Sequence, residues 1–311
     1  MIRRIGIEAV PATTLSEPHV FLFRSLKDQW QDYRKDFARC RRKFSKKSVH
    51  QFRVESRRLL STTGVLAAVM PGKSLKAASH ALKKRLRIFA RLRDTHVQLE
   101  AVAELEPDLP ELKAFRRSLT KRKRRLKKCV VRKFQHTGLR KVAQPIGAVR
   151  KKLRLMVREH QWKKGNLRAL EEAWEKAFAK VEERFHAIDP EDPATIHRTR
   201  LAFKKFRYMT EALQPILPGV NNRMLKRMHD YQNRMGAIQD ATVLRASLEK
   251  FLRKQQCRAA DAARIRAELE RRRAALIAQF MGEAEQLFDF APPAHRASNP
   301  RTGRTTRQIA E

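Results

Sequence analysis

Apolar residues recur along most of the chain at intervals of three and four, the period that marks one buried face of an α-helix. In "SVHQFRVESRRLL" (48–60) Phe52 and Leu59 fall on one side while the cations gather on the other. The pattern stops where Pro and Gly punctuate it, at "PG" (71–72), "EPDLP" (106–110), "HTG" (136–138), "KKGN" (163–166), "IDPEDP" (188–193) and "LPGVNN" (217–222). This spacing predicts helices over 18–44, 47–70, 74–104, 110–135, 141–161, 166–188, 194–216, 222–254 and 258–288. No strand alternation competes, so the predicted fold class is all-α. Residues 1–17 read as an N-terminal leader, and the Pro-rich, basic stretch from about 289 to 311 reads as a flexible tail.

The helices form two sets. Segment 49–70, "VHQFRVESRRLLSTTGVLAAVM", aligns without gaps on 196–217, "IHRTRLAFKKFRYMTEALQPIL". Each is followed by a long helical stretch with a second shared signature, "LRIFARLRDTHV" (86–97) against "QNRMGAIQDATV" (232–243). Each is also preceded by a matching helix and closed by a basic one, and the stretch from 141 to 161 links the sets. Two four-helix repeats are expected, at about 18–138 and 166–288.

At about 100° per residue, positions 0, 3, 7 and 10 of the repeated segment share a narrow sector. That sector holds His197, Arg200, Lys204 and Arg207 in the second repeat, and His50, Arg53 and Arg57 in the first, where Leu60 replaces the fourth cation. Phe52, Leu59 and Leu66, or Phe203, Phe206 and Leu213, lie opposite and anchor the helix. A merely solvated cationic face has no need for histidine at the same place twice, and it usually mixes in glutamates for pairing. The next helix extends the pattern with His80, Lys83, Arg87 and Arg91, and its counterpart offers Lys226, His229 and Arg234. Further cations at the edges of these rows are Arg58 and Lys205, with Lys121, Arg122 and Arg125 on the closing helix of the first repeat and Arg271 and Arg272 on that of the second. Tyr208 stands near the second row as a hydrogen-bond donor for its rim. Asp94 and Asp240, at the ends of the "LRD" and "IQD" signatures, suit the orienting of a cation or a local cap better than catalysis.

Charge turns this pattern into a statement about partners. The 311 residues carry 71 Lys+Arg against 32 Asp+Glu, a formal net charge of +39, and self-repulsion on that scale calls for a polyanion. Three scattered cysteines, Cys40, Cys129 and Cys257, suggest neither a zinc knuckle nor a disulfide framework, which fits a reducing, cytoplasmic setting. The N-terminus lacks a secretory apolar core and no run is long enough to span a bilayer, so no membrane association is expected.

The pattern of histidine, arginine three residues on, a basic pair and a further arginine resembles the signature of the CHAD family, the conserved-histidine α-helical domain. "VHQFRVESRRL" meets it in part and "IHRTRLAFKKFR" more fully. The family's second pattern, Leu-Gly, two residues, Arg-Asp and Val, is matched loosely by "FARLRDTHV", with Ala90 for the glycine, and by "MGAIQDATV", with Gln239 for the arginine. The resemblance spans roughly 18–288. It implies two four-helix bundles about a pseudo-twofold axis, enclosing a basic groove or pore that binds inorganic polyphosphate, and location on polyphosphate granules in the cytoplasm without catalysis. It places phosphate on His50, Arg53, Arg57, His197, Arg200, Lys204 and Arg207. Lys204 stands where the family has arginine, and an ammonium holds phosphate as a point charge and not bidentately.

Three other readings compete. A basic helical surface also holds nucleic acid, as the main ligand or a secondary one. A metal site at His50 or His197 is disfavoured by neighbouring arginines and by the lack of Cys or carboxylate at ligand spacing, so neither a metal nor any cofactor is expected. An enzyme is the third, since related domains are fused to triphosphate tunnel enzymes with a Glu-x-Glu-x-Lys strand. "ELERR" (268–272) imitates that spelling, but on a helix Glu268 and Glu270 diverge and share no metal. Nothing in the sequence sets an oligomeric state.

Overall fold

A computed structural model describes residues 18–159, 164–254 and 258–298, and within them the chain is all-α, with no strand. The expected leader (1–17), Cys257 and the expected tail beyond 298 lie outside the described residues. The helices are α1 (Pro18–Arg42), α2 (Lys46–Val69), α3 (Lys73–Ile88), α4 (Ala90–Leu105), α5 (Lys113–Gln135), α6 (Arg140–Arg158), α7 (Lys164–His186), α8 (Pro193–Leu213), α9 (Asn222–Leu252), α10 (Ala259–Gly282) and α11 (Pro293–Ser298). None of them is long and apolar enough to cross a membrane.

Two departures from the predicted elements have tertiary causes. The helix expected over 74–104 is broken at Phe89, whose N–H turns back to the Leu86 carbonyl (3.3 Å) while its ring is driven into the core, edge-on to Phe134 at 5.2 Å. A tight turn of this kind interrupts the α-helical ladder between α3 and α4. Residues 289–298, expected to belong to the tail, are instead structured. After α10 the chain makes a 3₁₀ stretch (Ala284–Phe290) and α11, burying Phe290 against Phe203 and Tyr231 (both 5.8 Å) and setting His295 edge-on to Phe178 (5.3 Å).

The described chain forms two compact units, each drawn from both halves of the sequence. The first takes the residues up to Arg85, Gly138–Trp174 and Arg207–Leu225, and the second takes Leu86–Thr137, Glu175–Phe206 and the residues from Lys226. In the first unit α1 packs on both α2 and α6. Trp30, Tyr33, Phe37 and Phe52 stack in series between α1 and α2, and Thr62 donates to Gln29 (2.6 Å) across the same contact. Ser45 and Ser48 close the N-terminus of α2 reciprocally, each hydroxyl accepting the other's backbone N–H (3.1 and 2.9 Å). Arg85 is buried, donating to the Gly138 carbonyl (2.9 Å) with its guanidinium over the Phe37 ring (5.0 Å). Its burial presses against the charged form, and burial also pushes the nearby Tyr33 hydroxyl up to about 12.

In the second unit Val102, Leu105, Leu109, Phe115 and Leu119 meet Leu244, Leu248, Ile265 and Leu269, joining α4, α5, α9 and α10. A separate aromatic core joins Phe178, Phe203, Phe206, Tyr231, Phe280 and Phe290. Tyr231 donates to the Ala284 carbonyl (2.8 Å). Phe203, on α8 between His197 and Arg207, is fully enclosed there. Replacing it by alanine removes that anchor, and chemical denaturation is expected to show a loss of about 3–5 kcal/mol.

Candidate functional site

On α2 the sequence pattern becomes a two-sided helix. Phe52 and Leu59 are fully buried, His50 is exposed, and Arg53 and Arg57 are half-exposed on the other side. Lys83 on α3 belongs to the same unit and is exposed. Arg58 turns away from this row: it reaches the buried carboxylate of Glu55 (3.0 Å) and then Glu211 (3.6 Å). Burial raises the Glu55 pKa while Arg58 opposes the rise.

Glu211 also corrects the second row. Arg207, expected to be its fourth cation, is 7% exposed, pairs with Glu211 (3.3 Å) and lies 4.2 Å over the ring of Tyr208. Glu211 is one helical turn beyond Arg207 and therefore shares its face. Tyr208, expected at the rim, gives its ring to this contact, and its backbone carbonyl accepts from Ser61 (2.6 Å).

In the second unit His197, Arg200 and Lys204 run along α8, each half-buried, with Lys205 exposed beside them. The seat beneath them is α9. Arg200 lies over the bare Cα of Gly236, where an added β-carbon sits 3.4 Å from Nη2 and 3.5 Å from Nε. An alanine there is in ordinary contact, and anything larger displaces the guanidinium. His197 shares a hydrogen bond with the Gln239 side chain, while its Nδ1 is buried without a hydrogen-bond partner. Burial first, then the charges of Arg200 and Arg198, hold its pKa below the ordinary histidine value, with Gln239 pulling the other way. Two residues of the second signature, Gly236 and Gln239, thus seat two residues of the first. The recurrence of both signatures in order was the available signal. Asp240 accepts from Arg93 (3.2 Å), so this acid orients a cation.

Arg91 on α4 and Arg122 and Arg125 on α5 draw together. Arg122 has its charged form disfavoured by burial and then by the Arg91 and Arg125 charges, with Asp94 in partial support, and it donates weakly to Ser247 (3.4 Å). Arg87, Lys121 and Lys226 are exposed and have no carboxylate partner among the described residues. Two expected members are otherwise engaged. Arg234 pairs with Glu283 (2.8 Å) and Gln286 (3.1 Å), and Arg272 shares Glu268 with Arg271 (2.6 and 2.8 Å). Those two guanidiniums hold the Glu268 carboxyl down to about 2. Glu270 instead pairs with Arg273 (2.5 Å) and Arg245 (3.1 Å).

A cleft of about 600 Å³ in this unit is lined by Leu105, Leu244, Leu269 and Leu276, together with Glu100 and Glu104 and with Arg271 and Arg272. Its floor is largely apolar and its charged lining is mixed in sign, unlike the acid-free rows of α2 and α8 cations. Among the described residues no three His, Cys, Asp or Glu side chains converge as metal ligands do. Chemically, the α2 and α8 rows offer cations at one-turn intervals with histidine at one end, an arrangement that suits a linear polyanion.

The chain matches the model of the CHAD domain over residues 23–249. Among solved structures it is similar to the CHAD domain from the plant Ricinus communis, at 19% identity over 88% of this chain and 89% of that one, with a TM-score of 0.58. It is similar also to PptA from Streptomyces chartreusis, at 16% identity over 87% of this chain and 99% of that one, with a TM-score of 0.64. At such identities the likeness is one of fold. No curated protein matches it in sequence.

Because the folded form holds a proton at His197 less readily than the unfolded chain, acidification through the ordinary histidine range favours unfolding. That contribution is absent above the ordinary value and grows as pH falls towards the depressed one. Thermal melts at pH 7.5 and 5 are expected to show a smaller acid-induced loss for His197→Gln than for the unaltered protein.

Proposed function

The chain belongs to the CHAD family, and from that membership together with its doubled histidine-led rows we propose that it binds inorganic polyphosphate without catalysis. The observation that carries this reading is the recurrence of the same row on α2 and α8, each backed by a buried aromatic anchor. Polyphosphate presents roughly one negative charge per phosphate and no bases, so its reader needs cations in line and no stacking platform. Here the aromatics nearest the rows, Phe52, Phe203 and Phe206, are fully buried, and the Tyr208 ring is covered by Arg207.

In this reading His50, Arg53 and Arg57, with Lys83, Arg87 and Arg91, and His197, Arg200 and Lys204 touch phosphate. Arg53, Arg57 and Arg200 bring planar donor pairs, while Lys204 contributes a point charge. Lys121, Arg122, Arg125, Lys205 and Lys226 add outlying attraction. Arg58, Arg207, Arg234 and Arg272 are held by carboxylates and serve mainly to order the fold. Neutral His197 gains a favourable partner for its proton when phosphate arrives, since the chain's charge offsets Arg198 and Arg200. The protein is a polyphosphate-granule component in this account. Nucleic acid is the second reading, favoured by the overall charge of +39 and by the acid-free helix α5.

Changing Arg53 and Arg200 together to glutamate is expected to weaken polyphosphate binding by at least about tenfold in a titration at fixed salt, each lost phosphate contact also flattening the salt dependence. Gly236→Leu, which unseats Arg200, is expected to act in the same direction, while Gly236→Ala leaves binding intact. In competition, polyphosphate displaces DNA at well below equal phosphate. Displacement in the opposite order favours the nucleic-acid reading.

A further inference from the structure

Helix α6 has no part in the function proposed above, yet its surface is unlike that of most other helices. Over Arg140–Arg158 it carries no acidic residue, and it buries Val142, Ile146, Val149 and Leu153 on one side. Its second half turns Lys151, Lys152, Arg154 and Arg158 outward, all exposed. None of the four has a carboxylate partner among the described residues. Ordinary solvated faces of this protein look different: Arg168 pairs with Glu172, Lys180 with Glu183, and Arg271 with Glu268, each within one turn. Such pairs relieve like-charge crowding on an exposed helix. α6 leaves the crowding unrelieved, which costs stability unless an anion covers it.

The placement of α6 matters as much as its charge. α1 packs on both α2 and α6. The outer face of α6 lies opposite its buried Val142, Ile146, Val149 and Leu153, on a different helix from the His50–Arg57 row of α2. Resting on the polyphosphate reading, we propose that the outer face of α6 is a second, histidine-free polyphosphate-binding surface, so that one molecule bridges two chains. The second surface holds phosphate by charge alone, while the α2 and α8 rows add histidine and seated guanidinium groups. Its value is multivalent: a weak contact made at the high local concentration of a granule draws chains together.

The test uses the full-length protein and short polyphosphate chains, half labelled at one end with a donor fluorophore and half with an acceptor. Energy transfer reports two chains on one molecule, and anisotropy of one labelled chain at limiting concentration reports the tighter contact. In the variant Lys151→Glu, Lys152→Glu, Arg154→Glu, transfer is expected to fall about tenfold while the tighter affinity changes less than about threefold. A glutamine version of the same triple variant guards against loss of the helix. The charge-matched variant Lys250→Glu, Arg253→Glu, Lys254→Glu controls for net charge and is expected to keep bridging. Undiminished transfer in the α6 variants overturns the proposal, as does an equal loss in the charge-matched variant. A fall of more than tenfold in single-chain affinity also overturns it, by making α6 part of one continuous site. If the unaltered protein binds no chain at all, the polyphosphate reading itself fails, a result distinct from binding without bridging.

Discussion

Repulsion among like charges is the constraint on which the rest of this molecule depends. With a net charge of +39, most cations have no carboxylate to meet, so each helix must bury enough apolar surface to hold the chain together against its own field. The aromatic series from Trp30 to Phe52 in the first unit and from Phe178 to Phe290 in the second supply that anchoring. Fully burying one such side chain stabilises by about 1.5–3 kcal/mol, and several act together in each core. Some of the scarce carboxylates meet cations that enter the interior or crowd together. Glu55 and Glu211 tie down Arg58 and Arg207, and Glu268 ties down Arg271 and Arg272.

Helix positions were largely legible in the sequence because they depend on local periodicity and on Pro–Gly punctuation. The break at Phe89 was not, since it arises from a ring seeking Phe134 more than forty residues away. The docking of Phe290 and His295 was hidden for the same reason: "FAPPAH" has no period, and its partners Phe203, Tyr231 and Phe178 lie on three other helices. Membership of the rows was legible where the argument was helical geometry alone, as for His50, Arg53 and Arg57. It was obscured where tertiary pairing decides, as for Arg234, which meets Glu283 only once the chain has folded. Arg207 is the instructive case. Glu211 one turn away was readable by the same spacing rule that picked out the row, and it is the residue that removes Arg207 from it.

That removal makes the two halves more alike than their spelling suggests. The first row ends early because Leu60 stands at its fourth position, and the second ends early because Arg207 is buried on Tyr208. Both therefore present a histidine and two cations. They differ in chemistry: Arg57 offers a planar fork where Lys204 offers a point charge. The site is also more than a surface stripe. Gly236 leaves room for Arg200 and Gln239 holds His197, so the second family signature acts as the seat of the first.

Arginine-selective chemical labelling read by mass spectrometry, with and without polyphosphate, tests the central claim most directly because it reports each guanidinium separately. Protection concentrated at Arg53, Arg57, Arg87, Arg91 and Arg200, with Arg271 and Arg272 unchanged, is the predicted result. Protection spread evenly over the exposed arginines, or confined to those outside the α2 and α8 rows, contradicts it.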